Sequence, residues 1–306
     1  MQSLLDNSYT MAPQTFTHAD GRKTDYLVSG AQDGLPLIFI HGTPGSYTVS
    51  PKFAAACEGK GIKLITLSRA GYGGSTRNKG RRVVDAVADI QAVLEHLGVK
   101  KCVVGGKSGG GPHSLACAAR LPGCVASLVV AGVAPYDADG LDFLAGQGQS
   151  NVDEFGAALE GEEPLQKFCQ AERPGMLAAS PKGLTEAMAT LLPEADMKAI
   201  LEDEDTGVDI LKTIQEALRM SCDGWVDDDL AFTRPWGFEL SEIKVPVFLY
   251  QGSVDKMVPL AHGEWLAGHL PEGKVKARLL EGEGHISIFS AYMDEMLDNL
   301  LAVAKE

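Results

Sequence analysis

The sequence predicts an α/β protein: a largely parallel sheet with helices on both faces, interrupted late in the chain by a block of helices. Three observations carry that prediction. Short continuous apolar runs recur at 35–42, 63–68, 101–108 and 125–134, as expected of strands buried on both faces. Helical segments separate these runs, and a strand–helix–strand order favours parallel pairing. From Pro135 to Leu240 no strand-like run occurs, and the alternation resumes with VPVFLYQGS at 245–253.

Taken in order, TDYLVSG (24–30) alternates its apolar residues and suits a strand near a sheet edge. LPLIFIHG (35–42) is a buried strand closed by glycine, and KLITLSRAGYGGS (63–75) repeats that plan. In RRVVDAVADIQAVLEHLG, residues Val83, Val87, Ile90, Leu94 and Leu97 fall three or four apart. That spacing makes one apolar stripe and predicts an amphipathic helix ending at Gly98. KCVVGGKS is the next buried strand, GGGPHSLACAARLP a helix of small residues stopped at Pro122, and VASLVVAGVA (125–134) a further strand.

Within 135–240, Ser180 followed by Pro181 marks a helix start. Thr206 with Asp209 three residues on is close to a capping box and marks another. After the strand at 245–253 come a helix over PLAHGEWLAGHL, the strand KVKARLLEG, and a last helix from about Ile288 to Ala304. There are no internal repeats.

Composition narrows the function classes. At 306 residues the chain is long enough for one large domain with an insertion. A net charge of −14 argues against nucleic acid or an anionic membrane as partner. The acidity is local: residues 135–240 hold 23 of the 41 acidic residues and 7 of the 27 basic ones. No apolar run approaches the roughly 20 residues of a membrane span. The opening MQSLLDNSYTMAPQ lacks both a basic stretch and a continuous apolar core, so no cleaved signal peptide is expected. The six scattered cysteines show no CxxC pair or metal-ligand spacing, which predicts reduced thiols and a cytoplasmic protein.

The stretch CVVGGKSGGGPH (102–113) admits two readings. A Walker A loop, G-x-x-x-x-G-K-[ST], requires glycine at 101, where this chain has Lys101. The residues Cys102, Val103 and Val104 are moreover the apolar body of a strand, which cannot double as a phosphate loop. Read as G-x-S-x-G, the stretch Gly106-Lys107-Ser108-Gly109-Gly110 lies between a buried strand and a small-residue helix, the setting of a nucleophile elbow.

A serine hydroxyl becomes an effective nucleophile only when a base takes its proton and an acid orients that base. His285, in LLEGEGHISIF, lies just beyond the last strand; Asp255, in LYQGSVDKMVP, follows the strand before it. In a parallel sheet those loops open at the same carboxyl edge as the elbow. Asp137, after the strand ending near Ala134, is the reserve acid. His96, His113, His262 and His269 fall on predicted helices and are read as surface or packing residues. For the oxyanion, the turn FIHGTPGS supplies the backbone N–H of Thr43, to act with that of Gly109. His41 is read as bracing that turn.

With HGTPGS (41–46), SRAGYGGS (68–75), GKSGG (106–110), QGSVDKMVP (251–259) and GEGHIS (282–287), the chain resembles the α/β-hydrolase superfamily over nearly its whole length. The resemblance implies a mostly parallel eight-stranded sheet, a helical cap, and no metal or organic cofactor. It carries the roles of nucleophile, acid and base to Ser108, Asp255 and His285. It also divides the chain into a core domain, 1–134 with 241–306, and a cap at 135–240. The HG-x-P turn is similar to that of epoxide hydrolases and haloalkane dehalogenases, which place aspartate where this chain has Ser108. Ser68 and Ala70 stand where many relatives have aspartate and proline, and Lys107 stands where an aromatic residue or histidine is frequent. Lys107 is therefore a candidate modulator, which would stabilise the alkoxide, steer an acidic substrate group, or pair with a carboxylate.

These readings predict a serine hydrolase acting on an ester, lactone or related acyl bond of a small, largely apolar substrate. Phe143, Phe155, Trp225 and Trp236 of the cap are expected to shape the pocket. Two alternatives keep the same residues: a C–C bond hydrolase or biosynthetic cyclase, and a ligand receptor with little turnover.

Overall fold

In the computed structural model, which describes residues 12–304, the apolar runs become strands of a single sheet. Residues 1–11, on which most of the signal-peptide expectation rests, lie outside the described residues. The strands are β1 (Gln14–Thr17), β2 (Lys23–Gly30), β3 (Leu35–Ile40), β4 (Ile62–Leu67), β5 (Cys102–Lys107), β6 (Cys124–Val130), β7 (Val247–Gly252) and β8 (Val275–Leu280). They lie in the order β1-β2-β4-β3-β5-β6-β7-β8. β1 and β2 pair antiparallel, β2 pairs antiparallel with β4, and every other pairing is parallel. The eight-stranded, mostly parallel sheet expected from the sequence is thus present, with β1 as the one strand not foreseen. Its four residues, QTFT, offer a single apolar side chain and no alternation to detect.

The double-sided burial of the central strands is visible residue by residue. Leu37, Leu64, Val103, Leu128 and Phe248 face one core. Their neighbours Ile38, Ile65, Val104, Val129 and Leu249 face the other. The first core is closed by α1 (Pro51–Gly59) and the C-terminal helix, through Phe53, Cys57, Met296 and Leu300. The second is closed by α2 (Ala86–His96) and α3 (Gly110–Arg120). Val83, Val87, Ile90 and Leu94 of the predicted stripe are all buried there, and the chain leaves the helix through Gly98 at φ 69°.

Six helices occupy the inserted block: α4 (Gln149–Glu160), α5 (Glu162–Ala178), α6 (Pro181–Ala187), α7 (Glu194–Glu202), α8 (Glu204–Leu218) and α9 (Asp223–Phe232). α10 (Leu260–His269) and α11 (Ser287–Ala304) complete the chain. Ser180 caps α6 as expected, accepting the Gly183 N–H with Pro181 in the first turn. The start of α8 differs from expectation. Asp203, not Thr206, is its N-cap and accepts the Asp205 N–H, because the chain is still extended at 203 and turns helical immediately after it. Phe155, Leu165, Leu211 and Trp225 of the inserted helices join the same apolar cluster as one face of the sheet.

The order reverses at β3, which has β4 on one side and β5 on the other. Loops leaving the carboxyl ends of β3, β5, β7 and β8 therefore gather at one edge of the sheet. Those loops carry Thr43, Ser108, Asp255 and His285.

Candidate active site

Ser108 follows β5 directly and has φ 55°, a left-handed conformation rare for a residue with a side chain. The turn is held by the Ser108 N–H donating to the Val130 carbonyl and the Gly111 N–H donating to the Ser108 carbonyl, both at 2.8 Å. Glycine at 106 is a steric requirement, since a Cβ there would overlap the Gly110 carbonyl across the turn. The turn after β3 lies against this elbow: a Cβ built on Gly42 would stand 3.2 Å from Cβ of Ser108. Thr43 in turn contacts Gly109. Among the described residues, no backbone acceptor takes the N–H of Thr43 or of Gly109. Two donors are thus available beside the serine.

His285 and Asp255 come together from different loops. Nδ1 of His285 lies 2.8 Å from Oδ2 of Asp255, and both residues are buried. Oδ1 of Asp255 accepts the N–H groups of Met257 and Val258, at 2.8 and 2.9 Å. Gln251 Nε2 donates to Oδ2 at 3.3 Å. A carboxylate so anchored fixes the proton on Nδ1 and leaves Nε2 of His285 as the acceptor. Ser108, His285, Thr43 and Gly109 all line one cavity of about 430 Å³. Asp137 is exposed, and the carboxylate that meets His285 is that of Asp255.

Two acidic residues of the inserted helices, both missed by sequence reasoning, organise these loops. Asp196, fully buried on α7, accepts the N–H groups of His285, Ile286 and Ser287, each at 2.9 Å. Asp228, fully buried on α9, accepts from Thr43 Oγ1 at 2.7 Å and Tyr72 OH at 2.8 Å. It also pairs with the Arg69 and Arg81 guanidinium groups. Burial alone would raise the Asp228 carboxyl, but Arg69 and Arg81 outweigh it and hold it well below the usual range. Arg69 further donates to the carbonyls of His41 and Gly42. The turn bearing Thr43 is therefore clamped by a buried ion cluster. The only signal for it in the sequence was the run of three aspartates at 227–229.

His41 braces the same turn, as expected. Its Nε2 accepts the Arg69 N–H at 3.0 Å, its Nδ1 donates to the Gly42 carbonyl at 2.7 Å, and burial holds it well below the ordinary histidine range. His113 and His262 are buried packing residues, pushed down to about 3 and about 4 by burial. His96 and His269 are exposed. Ser68, at one position that departs from many relatives, accepts the Tyr47 N–H at 3.0 Å.

Lys107 also lines the cavity, with Nζ over the Phe289 ring at 5.4 Å. Burial lowers its pKa, with Asp196 and Asp255 acting weakly in the opposite sense. Neither carboxylate forms an ion pair with it; each instead accepts from the donors named above. Of the four aromatics expected in the pocket, Phe155 and Trp225 line it. Phe143 instead packs behind Phe155 with His262, and Trp236 stacks on Phe238 beyond α9. All six cysteines are free and buried, in agreement with the reduced-thiol reading. No helix among the described residues is long and apolar enough to cross a membrane.

Comparison with known proteins gives the same architecture. The family model described as the alpha/beta hydrolase fold matches residues 36–292. The uncharacterized hydrolase YcgS of Bacillus subtilis (strain 168) is 24% identical over 277 residues, 87% of this chain and 89% of its own length. Two solved structures superpose over nearly the whole chain. A thermophilic esterase from Thermogutta terrifontis has TM-score 0.66 at 18% identity, covering 95% of this chain and 98% of that one. The enol-lactonase from Burkholderia xenovorans LB400 has TM-score 0.65 at 16% identity, covering 94% and 98%.

Proposed function

The chain belongs to the alpha/beta hydrolase fold family, and we propose that within it this protein is a serine hydrolase acting on an ester, lactone or related acyl bond. The observation that carries the proposal is the His285–Asp255 pair at 2.8 Å, opening onto the same cavity as a left-handed Ser108. In this reading Ser108 Oγ attacks the acyl carbonyl while Nε2 of His285 takes its proton. Asp255 stabilises the imidazolium, and the N–H groups of Thr43 and Gly109 receive the oxyanion. His285 then returns the proton to the leaving group, and water activated by the same imidazole releases the acyl chain.

Residues 135–240 act as the cap in this proposal. Phe155, Met176, Leu184, Ile210 and Trp225 from that block, together with Val258 from the core, give the cavity an apolar lining that suits a small hydrophobic acyl group. The esterase and lactonase activities of the structural neighbours are in keeping with that chemistry. The buried free thiols favour a reducing compartment, and we place the protein in the cytoplasm.

Turnover on a panel of short-chain esters and lactones tests the proposal. Hydrolysis that disappears in Ser108→Ala, with the fold intact by circular dichroism, is the expected result. Hydrolysis that survives Ser108→Ala would sink it.

A further inference from the structure

One wall of the cavity carries a pair of carboxyl groups that the proposed hydrolysis does not use. Glu154 of α4 and Asp229 of α9 both line it. Trp225 Nε1 donates to Oε1 of Glu154 at 2.6 Å. Asp229 is 1% exposed, and no N–H or hydroxyl group of the described residues reaches either of its oxygens. Besides burial, the Glu154 carboxyl is the group that acts on it most strongly. Where one of two neighbouring carboxyl groups is buried, as Asp229 is beside the half-buried Glu154, the two do not readily both ionise. Burial, with the Glu154 carboxyl acting in the same sense, pushes Asp229 well above the usual range and favours its protonated form. Burial also raises Glu154, while the bonds from Asp229 and Trp225 oppose that rise. Of the pair, Glu154, half-buried and oriented by the Trp225 donor, is the one that bears the negative charge.

Among the described residues that charge has no salt-bridge partner. Arg81, which acts weakly on Asp229, is bonded to Asp228, and Lys107 lies over Phe289. Lys52, at the cavity rim, is paired with Asp203 at 3.3 Å. Asp205 and Asp209 stand on the same rim, so the approach to the cavity is electronegative and favours a cation. An unpaired carboxylate in an apolar wall is costly unless a ligand neutralises it.

We infer that Glu154, backed by Trp225 and Asp229, is a cation-binding subsite, and that the acyl compound cleaved at Ser108 carries a protonated amine. The inference rests on the serine-hydrolase reading. It adds that one end of an otherwise apolar substrate is an ammonium group, whose N–H donors meet the Glu154 carboxylate.

The test uses the full chain and matched nitrophenyl esters, over a series of acyl lengths, ending either in an ammonium group or in an isosteric methyl group. At the best length the ammonium ester is expected to exceed its methyl partner in kcat/KM by about tenfold or more. That ratio collapses towards unity in Glu154→Gln, an isosteric change, and falls in Trp225→Phe. Equal or better turnover of the methyl ester by the unaltered protein overturns the inference and leaves the hydrolase reading standing. If neither ester is cleaved, the hydrolase reading fails, and calorimetric titration of alkylammonium ions into the protein decides the subsite by itself. Saturable binding that Glu154→Gln abolishes then supports it, and absence of binding refutes it.

Discussion

The Asp196 carboxylate and the backbone of His285 are joined at 2.9 Å, a bond that ties an inserted helix to the loop bearing the proposed base. The same carboxylate takes the next two N–H groups, those of Ile286 and Ser287, as α11 begins. These are donors that a helix leaves unpaired at its first turn. Their capping residue lies about ninety positions earlier in the chain, so the insertion sets the loop geometry.

Asp196→Ala leaves three buried donors without an acceptor, and we expect a loss on the order of 3 kcal/mol in urea unfolding. Ester turnover measured where the variant is fully folded should fall at least about tenfold in kcat, with KM little changed. A fall in stability with kcat preserved would make Asp196 a cap for the helix and nothing more.

Asp228→Ala strips the counterion from Arg69 and Arg81, two buried guanidinium groups. Breaking a buried ion cluster of this kind costs about 3–5 kcal/mol, readable from denaturant midpoints. Because Asp228 also holds Thr43 through its hydroxyl, acylation of Ser108 should slow in the protein that remains folded.

Stability should fall on acidification in a window set by buried histidines. His262 is held down to about 4 and His113 to about 3, while His41 also lies well below its ordinary value. Each therefore binds a proton more readily in the unfolded chain, whose histidines titrate near 6.5. Their contribution is complete above about pH 6.5 and is lost as pH falls from there towards the folded values; His262 alone accounts for on the order of 3 kcal/mol. Asp229, raised by burial, acts with the opposite sign but is outnumbered. Urea midpoints at about pH 7.5 and about pH 4.5 check this, with a clear drop at the lower pH expected and an unchanged midpoint contradicting it.

Lys107→Met replaces a half-buried lysine, bonded by no carboxylate among the described residues, with an apolar side chain of similar length. Stability should rise by about 1–2 kcal/mol in urea unfolding, while the rate of Ser108 acylation falls. A charge kept at a cost to stability and to the benefit of rate is one held for function. Loss of stability in this variant would instead mean that the ammonium group has a structural partner.

What the sequence made legible, and what it hid, divides along a physical line. Strands such as LPLIFI and the stripe from Val83 to Leu94 were readable because burial on two faces or on one stripe forces a period onto the residues. Ser108, Asp255 and His285 were readable because a parallel sheet collects its strand ends at one edge. Asp196, Asp228, Glu154 and Asp229 were not. They sit on helices where an acidic residue is ordinarily solvated; only packing distant in the chain makes Asp196 and Asp228 buried acceptors, sets Glu154 against Trp225 and leaves Asp229 buried without a donor. The pocket aromatics Phe143 and Trp236 were misplaced for the same reason, since composition does not say which apolar faces of the inserted helices turn towards the cavity.

The most direct test of the central claim is covalent labelling of the folded protein with a fluorophosphonate probe, followed by peptide mass spectrometry. The account predicts a single adduct on Ser108 that is absent from heat-denatured protein and greatly slowed in His285→Ala. Folded protein that takes up no probe at Ser108 would contradict it.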